Sequence, residues 1–330
     1  MTLLLTTARR TLTQALRQTP KSSVAAAHSQ KSNMTTAIFK HIDTSIIPQG
    51  TKPWVKVDAD ASSFKLAEHQ RSVNNLRGRE SEFTTDNSGF AVYKEPSTEK
   101  TFTDDAAVRG GYYQEVEDLL RKRIPGIKKV VIFDHTIRRR TPDAARAPVQ
   151  QVHVDQTPAA AEVRVRRHLP ADEADELLKG RFQIINVWRP IENPATDFPL
   201  AVVDWRTTKL DDFVPVDLLY PKRDSATDND DRGKEVRPDE SKWFSTDGYE
   251  VRGETMSVAP SEAHKFYYQK DMTPDEVLLL KCYDSWGEGQ PKGKNGIAVR
   301  TPHTAFIDPQ TPEGTPGRQS IEVRCLVFYE

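Results

Sequence analysis

Apolar residues recur at alternate positions in several short runs of this chain, and only two stretches change to the three- and four-residue spacing of a helix. The β-like runs are residues 128–134, 149–155, 181–188, 200–204, 265–269, 277–283 and 320–328, with a weaker one near Leu218. One helix is predicted over 104–124. There Tyr112, Val116, Leu119, Leu120 and Ile124 make an apolar stripe, and Pro125-Gly126 ends it. A second, Arg-rich helical stretch covers 159–178, is interrupted by Pro170, and stops before Gly180.

Residues 36–100 scatter Phe64, Phe83, Phe90, Val92 and Tyr93 among polar residues and prolines, which reads as short strands and turns that wrap a core. The stretch 224–237 is dense in charge and nearly free of apolar residues, so it is expected to be an exposed insertion. Many short strands with few helices predict a mainly β fold with flanking helices, a double-stranded β-helix or jelly-roll core. A single domain over 36–330 accommodates it.

Composition narrows the function classes. A net charge of −1 gives no global basic surface, so nucleic acid is not an expected partner. The runs Arg138–Arg140 and Arg164–Arg167 read as solvated edges. A mean hydropathy of −0.66 and no apolar run long enough to span a bilayer make a membrane role unexpected. Cys282 and Cys325 lie in apolar runs and read as reduced packing residues of a cytoplasmic protein.

The start of the chain is different, with Arg9, Arg10, Arg17, Lys21, Lys31 and Lys40 and no acidic residue before Asp43. A mitochondrial presequence, a disordered extension, and a chain that truly opens at Met34 all fit this, and residues 1–35 are set apart from the fold.

The chemistry is carried by His153 and Asp155 in Gln-Val-His-Val-Asp-Gln, by His303 in Thr-Pro-His-Thr, and by Arg318 and Ser320 in Arg-Gln-Ser. On a strand, residues two apart share a face, so the alternation sets an imidazole beside a carboxylate. A further imidazole from another strand completes a two-histidine, one-carboxylate facial triad for Fe(II), with open positions for a bidentate keto acid and molecular oxygen. Such a keto acid, 2-oxoglutarate, has a distal carboxylate that a guanidinium fork can grip. Arg318 is the candidate with Ser320 on the same face, and Arg324 is its rival. Any one of these residues alone is more often structural than functional; their order and strand context together are uncommon.

The segments Asn-Val-Trp-Arg-Pro at 186–190, Asp-Phe-Pro-Leu-Ala at 197–201, Glu-Ala-His-Lys-Phe-Tyr-Tyr at 262–268 and Arg-Gln-Ser-Ile-Glu-Val-Arg at 318–324 resemble the fungal hydroxylase/desaturase family over roughly residues 80–330. The resemblance implies an Fe(II)- and 2-oxoglutarate-dependent oxygenase that hydroxylates or desaturates a small-molecule metabolite. Within those blocks Trp188, Arg189, His264 and Tyr267 are candidates for the substrate pocket, and His264 is also the main alternative ligand. A non-catalytic small-molecule-binding or partner protein on the same scaffold is the competing reading. A zinc hydrolase on the same ligands leaves Arg318 and Ser320 without a purpose. Substrate identity and oligomeric state are not specified by these residues.

Overall fold

Two sheets hold most of the apolar residues between them. The computed structural model describes residues 34–57, 61–140, 148–222 and 245–330. The first set of strands is β1 (Met34–Ile42), β2 (Trp54–Lys56), β3 (Leu66–Asn75), β4 (Phe90–Lys94) and β5 (Ile127–Arg139). Next come β6 (His153–Val154), β7 (Phe182–Pro190), β8 (Leu200–Val203), β9 (Phe213–Pro221) and β10 (Tyr249–Val258). The chain closes with β11 (Phe266–Tyr268), β12 (Glu276–Asp284), β13 (His303–Ala305) and β14 (Gln319–Tyr329).

A nine-stranded sheet has the order β1-β3-β11-β8-β13-β6-β10-β9-β2, and a five-stranded sheet the order β4-β12-β7-β14-β5. Apart from β9 and β10, strands adjacent in a sheet are not consecutive in the chain, as in a jelly roll. One apolar cluster joins Phe39, Val154, Val203 and Phe266 of the larger sheet to Ile184, Trp188, Leu280 and Leu326 of the smaller.

The smaller sheet is covered on its other face by helix. α1 (Asp105–Ala107) continues through a π-helical turn (Val108–Tyr112) into α2 (Tyr113–Arg123). Val116, Leu119 and Leu120 of α2 pack on Ile185, Val187, Val277, Leu279 and Val323, which is the stripe the sequence spacing predicts. Because side chains alternate along a strand, β7 sends Ile184, Asn186 and Trp188 between the sheets and Ile185, Val187 and Arg189 toward α2. α3 (Pro158–His168) and α4 (Ala171–Leu177) split at Pro170, where proline cannot continue the first helix.

Several sequence expectations change in register. β1 starts at Met34, inside the stretch set apart as 1–35, and pairs with β3 over nine residue pairs, so this region is a long sheet edge rather than short wrapping strands. Its alternating exposed and buried positions are those of an edge strand with one face in the core. β5 runs on to Arg139, which puts Arg138 on a strand opposite Ser320 of β14. β9 and β10 are long antiparallel partners, of which the sequence pattern shows only the weak run near Leu218. The charged stretch 224–237 and residues 1–33 lie outside the described residues. No helix among the described residues is long and apolar enough to cross a membrane.

Candidate metal centre

β6 is only two residues long, yet it aligns the centre. His303 of β13 sits directly opposite His153 in the antiparallel register, with ring centroids 4.4 Å apart. Asp155 follows just past the end of β6, so the two-residue spacing expected from sequence holds although the strand itself has ended. One ligand atom from each of His153, Asp155 and His303 lies within 4.8 Å of the others. Asp155 Oδ1 is 3.4 Å from His153 Nε2 and 3.7 Å from His303 Nε2.

Both imidazoles are oriented from behind in the same way. Nδ1 of His153 donates to the Gln151 carbonyl at 2.8 Å, and Nδ1 of His303 donates to the Thr301 carbonyl at 3.0 Å. Donation from Nδ1 leaves the Nε2 lone pair for a cation, the usual second contact of a metal-ligating histidine. Two neutral imidazoles and a carboxylate converging on one point fit ferrous iron.

Electrostatics agree with that fit. Burial alone would raise the Asp155 pKa, but the His153 hydrogen bond and the charges of His303 and Arg324 hold it well below the usual carboxylate range. Burial lowers the pKa of His303, and the neighbouring His153 lowers it further. At His153 burial acts downward too, yet the hydrogen bond and charge of Asp155 prevail and raise it.

The second oxygen of Asp155 is held from the other side. Asn186 Nδ2 of β7 donates to Oδ2 at 2.7 Å, while Arg324 Nε is 3.7 Å and Cys282 Sγ 3.9 Å away. The Arg324 guanidinium is mostly committed elsewhere, to Glu322 at 2.5 Å, Asp134 at 3.1 Å and Thr136 at 3.0 Å. Cys282 and Cys325 are buried free thiols.

A cavity opens beside the histidines. Its walls include His153, His303, Trp188, Arg138, Arg318 and Ser320. Arg318 is 3 % exposed, stands over the Trp188 ring at 5.7 Å, and donates from Nη1 to the Phe198 carbonyl at 2.9 Å. Its Nε is buried without a protein partner. Burial, with the nearby charge of Arg138, pushes its pKa down to about 10, so it remains a cation at neutral pH. A buried cationic donor lacking an acceptor is what a carboxylate ligand satisfies.

The loop before β8 sets this arginine in place. Asp197 accepts from the Arg318 backbone N–H at 3.0 Å and from Arg140 Nη1 at 3.0 Å. Phe198, at φ 43°, takes a left-handed conformation uncommon for a non-glycine residue and so presents its carbonyl to the guanidinium.

Three sequence-nominated substrate residues lie elsewhere. Arg189 has the wrong strand parity: it faces α2, donates from Nε to Tyr112 Oη at 2.9 Å and from Nη1 to the Pro274 carbonyl at 2.9 Å. His264 is tied to Asp212 at 2.9 Å and stacks near His41, and it is not among the residues that line this cavity or meet at the triad. Tyr267 joins the aromatic cluster of Phe83 and Phe90, with ring centroids 4.8 and 6.2 Å away. Trp188, of the opposite parity to Arg189, does line the cavity. Missed from sequence were Asn186, Asp197 and Arg138. Asn186 carried a readable clue, a lone amide on the otherwise apolar inner face of β7.

Comparison with known proteins adds the lineage. A family model described as YDMC, an oxidoreductase/YMDC permease-like domain, matches residues 44–328. The chain is 34 % identical over 274 residues to the hydroxylase/desaturase efuI of Hormonema carpetanum, an alignment covering 78 % of this chain and 83 % of that protein. It is 32 % identical over 275 residues to the Fe(II)/2-oxoglutarate-dependent dioxygenase nvfI of Aspergillus novofumigatus, covering 81 % of this chain and 86 % of the relative. Among solved structures, the iron and alpha-ketoglutarate-dependent endoperoxidase NvfI superposes with a TM-score of 0.72 at 28 % identity, covering 90 % of this chain and 98 % of that one. The chain belongs to this oxidoreductase domain family and, within it, to the fungal hydroxylase/desaturases related to Fe(II)/2-oxoglutarate-dependent dioxygenases.

Proposed function

We propose that the chain is an Fe(II)- and 2-oxoglutarate-dependent oxidoreductase that hydroxylates or desaturates a small-molecule secondary metabolite with molecular oxygen. The observation that carries this reading is the meeting of His153, Asp155 and His303, whose two imidazoles line a cavity that Arg318 also lines. His153, Asp155 and His303 hold the metal. Bound iron supplies the oxidising chemistry, drawing on oxygen and on decarboxylation of the keto acid.

The protein's own residues do the rest. The Gln151 and Thr301 carbonyls fix both imidazoles with Nε2 inward. Arg318 takes the distal carboxylate of 2-oxoglutarate through its buried donors, with the Ser320 hydroxyl as an added contact. Trp188 lines the cavity and gives the arginine an apolar ring to stand over. Arg324 is spoken for by Glu322, Asp134 and Thr136, which favours Arg318 as the anchor.

Relatives named hydroxylase/desaturase and aspirochlorine biosynthesis protein N support a secondary-metabolite substrate. The free buried thiols support a reducing, cytoplasmic setting, and the basic, acid-free first forty residues support a mitochondrial address. Fractionation of cells expressing the full chain decides between the two locations.

The function is tested anaerobically. Fe(II) with 2-oxoglutarate is expected to give the weak visible charge-transfer band of a chelated keto acid. A protein that binds neither, and shows no such band, is a small-molecule-binding or partner protein on this scaffold, and the enzyme reading fails.

A further inference from the structure

Asn186 stands out on β7 because its strand face is otherwise apolar: Phe182, Ile184 and Trp188 at the alternate positions all belong to the core between the sheets. The residue is fully buried. Its Nδ2 donates to Asp155 Oδ2 at 2.7 Å, while its Oδ1 is buried without a hydrogen-bond partner. An orphaned buried carbonyl is destabilising, so packing alone favours leucine here over an amide. What the amide provides is a donor aimed at one oxygen of one carboxylate.

That carboxylate is divided between two tasks. Oδ1 faces His153 and His303, and Oδ2 faces Asn186. A carboxylate free to rotate can present both oxygens to a metal and occupy two positions on it. Holding Oδ2 from behind leaves one oxygen for the cation and a further position vacant for other ligands. Arg324 adds charge on the same side at 3.7 Å but is shared with Asp134, Thr136 and Glu322, and Cys282 is a weak donor at 3.9 Å.

We propose that Asn186 is a positioning residue that fixes Asp155 as a single-oxygen metal ligand. The inference rests on the oxygenase reading above, because it presumes that a metal sits at the triad.

The test is an anaerobic Mn(II) titration of the full chain, followed by electron paramagnetic resonance and set beside thermal unfolding of the metal-free protein. Asn186→Leu, of similar volume but without a donor, is expected to bind Mn(II) roughly 10–100-fold more weakly, the range for loss of an outer partner of a ligand. Its metal-free unfolding temperature is expected to change little, since removal of the orphaned carbonyl and loss of the donor to Asp155 Oδ2 act in opposite directions. Asn186→Gln, which keeps an amide donor, is expected to fall between the wild type and Asn186→Leu. If Asn186→Leu does not fold, Asn186→Ala is read on the same scale. Mn(II) affinity equal to wild type in the donor-free variant overturns the positioning role. Absence of Mn(II) binding by the wild type is a different failure, because it removes the oxygenase reading itself.

Discussion

Two histidine–aspartate clusters among the described residues are built from the same residue types and put to different use. In the first, His153, Asp155 and His303 point their ligand atoms at one another around a common point beside a cavity. In the second, His264 Nε2 meets Asp212 Oδ2 at 2.9 Å, and the same oxygen accepts the Lys209 backbone N–H at 2.7 Å. Asp212 is therefore used up in closing a short helical turn, and His264 in closing the contact between that turn and the loop ahead of β11. Nearby His41 donates to the Val258 carbonyl at 3.0 Å. The difference is one of direction: the first cluster aims three ligand atoms at a shared point, whereas in the second the His264 Nε2 and the Asp212 carboxylate are turned on each other.

Removing a ligand breaks the contrast most strongly. His153→Ala is expected to lose metal affinity by more than the roughly 100-fold upper range for an outer partner, measured by anaerobic Mn(II) titration. His264→Ala in the same assay leaves the affinity as it was. Equal losses in the two variants would erase the distinction between the clusters.

The next largest effect is on stability in acid and belongs to the second cluster. Burial, opposed by the hydrogen bond to Val258 and reinforced by His264, lowers the His41 pKa from 6.5 to about 4. The unfolded chain therefore takes up this proton first as pH falls. Stability is full above pH 6.5, declines toward about pH 4, and levels off for this group below that. The total is about 3 kcal/mol. In denaturant titrations from pH 7 to pH 4, His41→Phe is expected to show a shallower decline, and an identical slope in the two proteins refutes the assignment.

Arg318→Ala is expected to raise the 2-oxoglutarate requirement by about 1.5–3 kcal/mol, equivalent to roughly 10–150-fold, while metal affinity changes little. A normal keto-acid affinity would pass the anchoring role to Arg138 or Arg324. Smallest is Asp212→Asn, expected to lower unfolding free energy by about 1 kcal/mol through weakening of its charged hydrogen bonds, with Mn(II) binding unaltered.

Legibility in sequence followed the range of each interaction. Short apolar runs located β7, β12 and β14, and helical spacing located α2, because both patterns report where an element meets apolar surface. They failed for β1 and β10 and showed β9 only as a weak run near Leu218, because the length of these strands comes from pairing with distant strands rather than from local pattern. His153 and Asp155 were readable as a pair for the same local reason. Arg189 illustrates the opposite case: its block resembled a functional one, yet one step of strand parity turned the side chain toward Tyr112.

The sequence alone set the candidate ligands, the arginine and serine downstream, and the predominance of strands, since these depend on residue type and short-range spacing. Only the tertiary structure decided that His303 faces His153 across a two-residue strand, and that Asn186 reaches Asp155 from the other sheet. Those contacts join residues 150 and 31 positions apart in the chain. No local pattern encodes such meetings, because they depend on how two sheets close over one core.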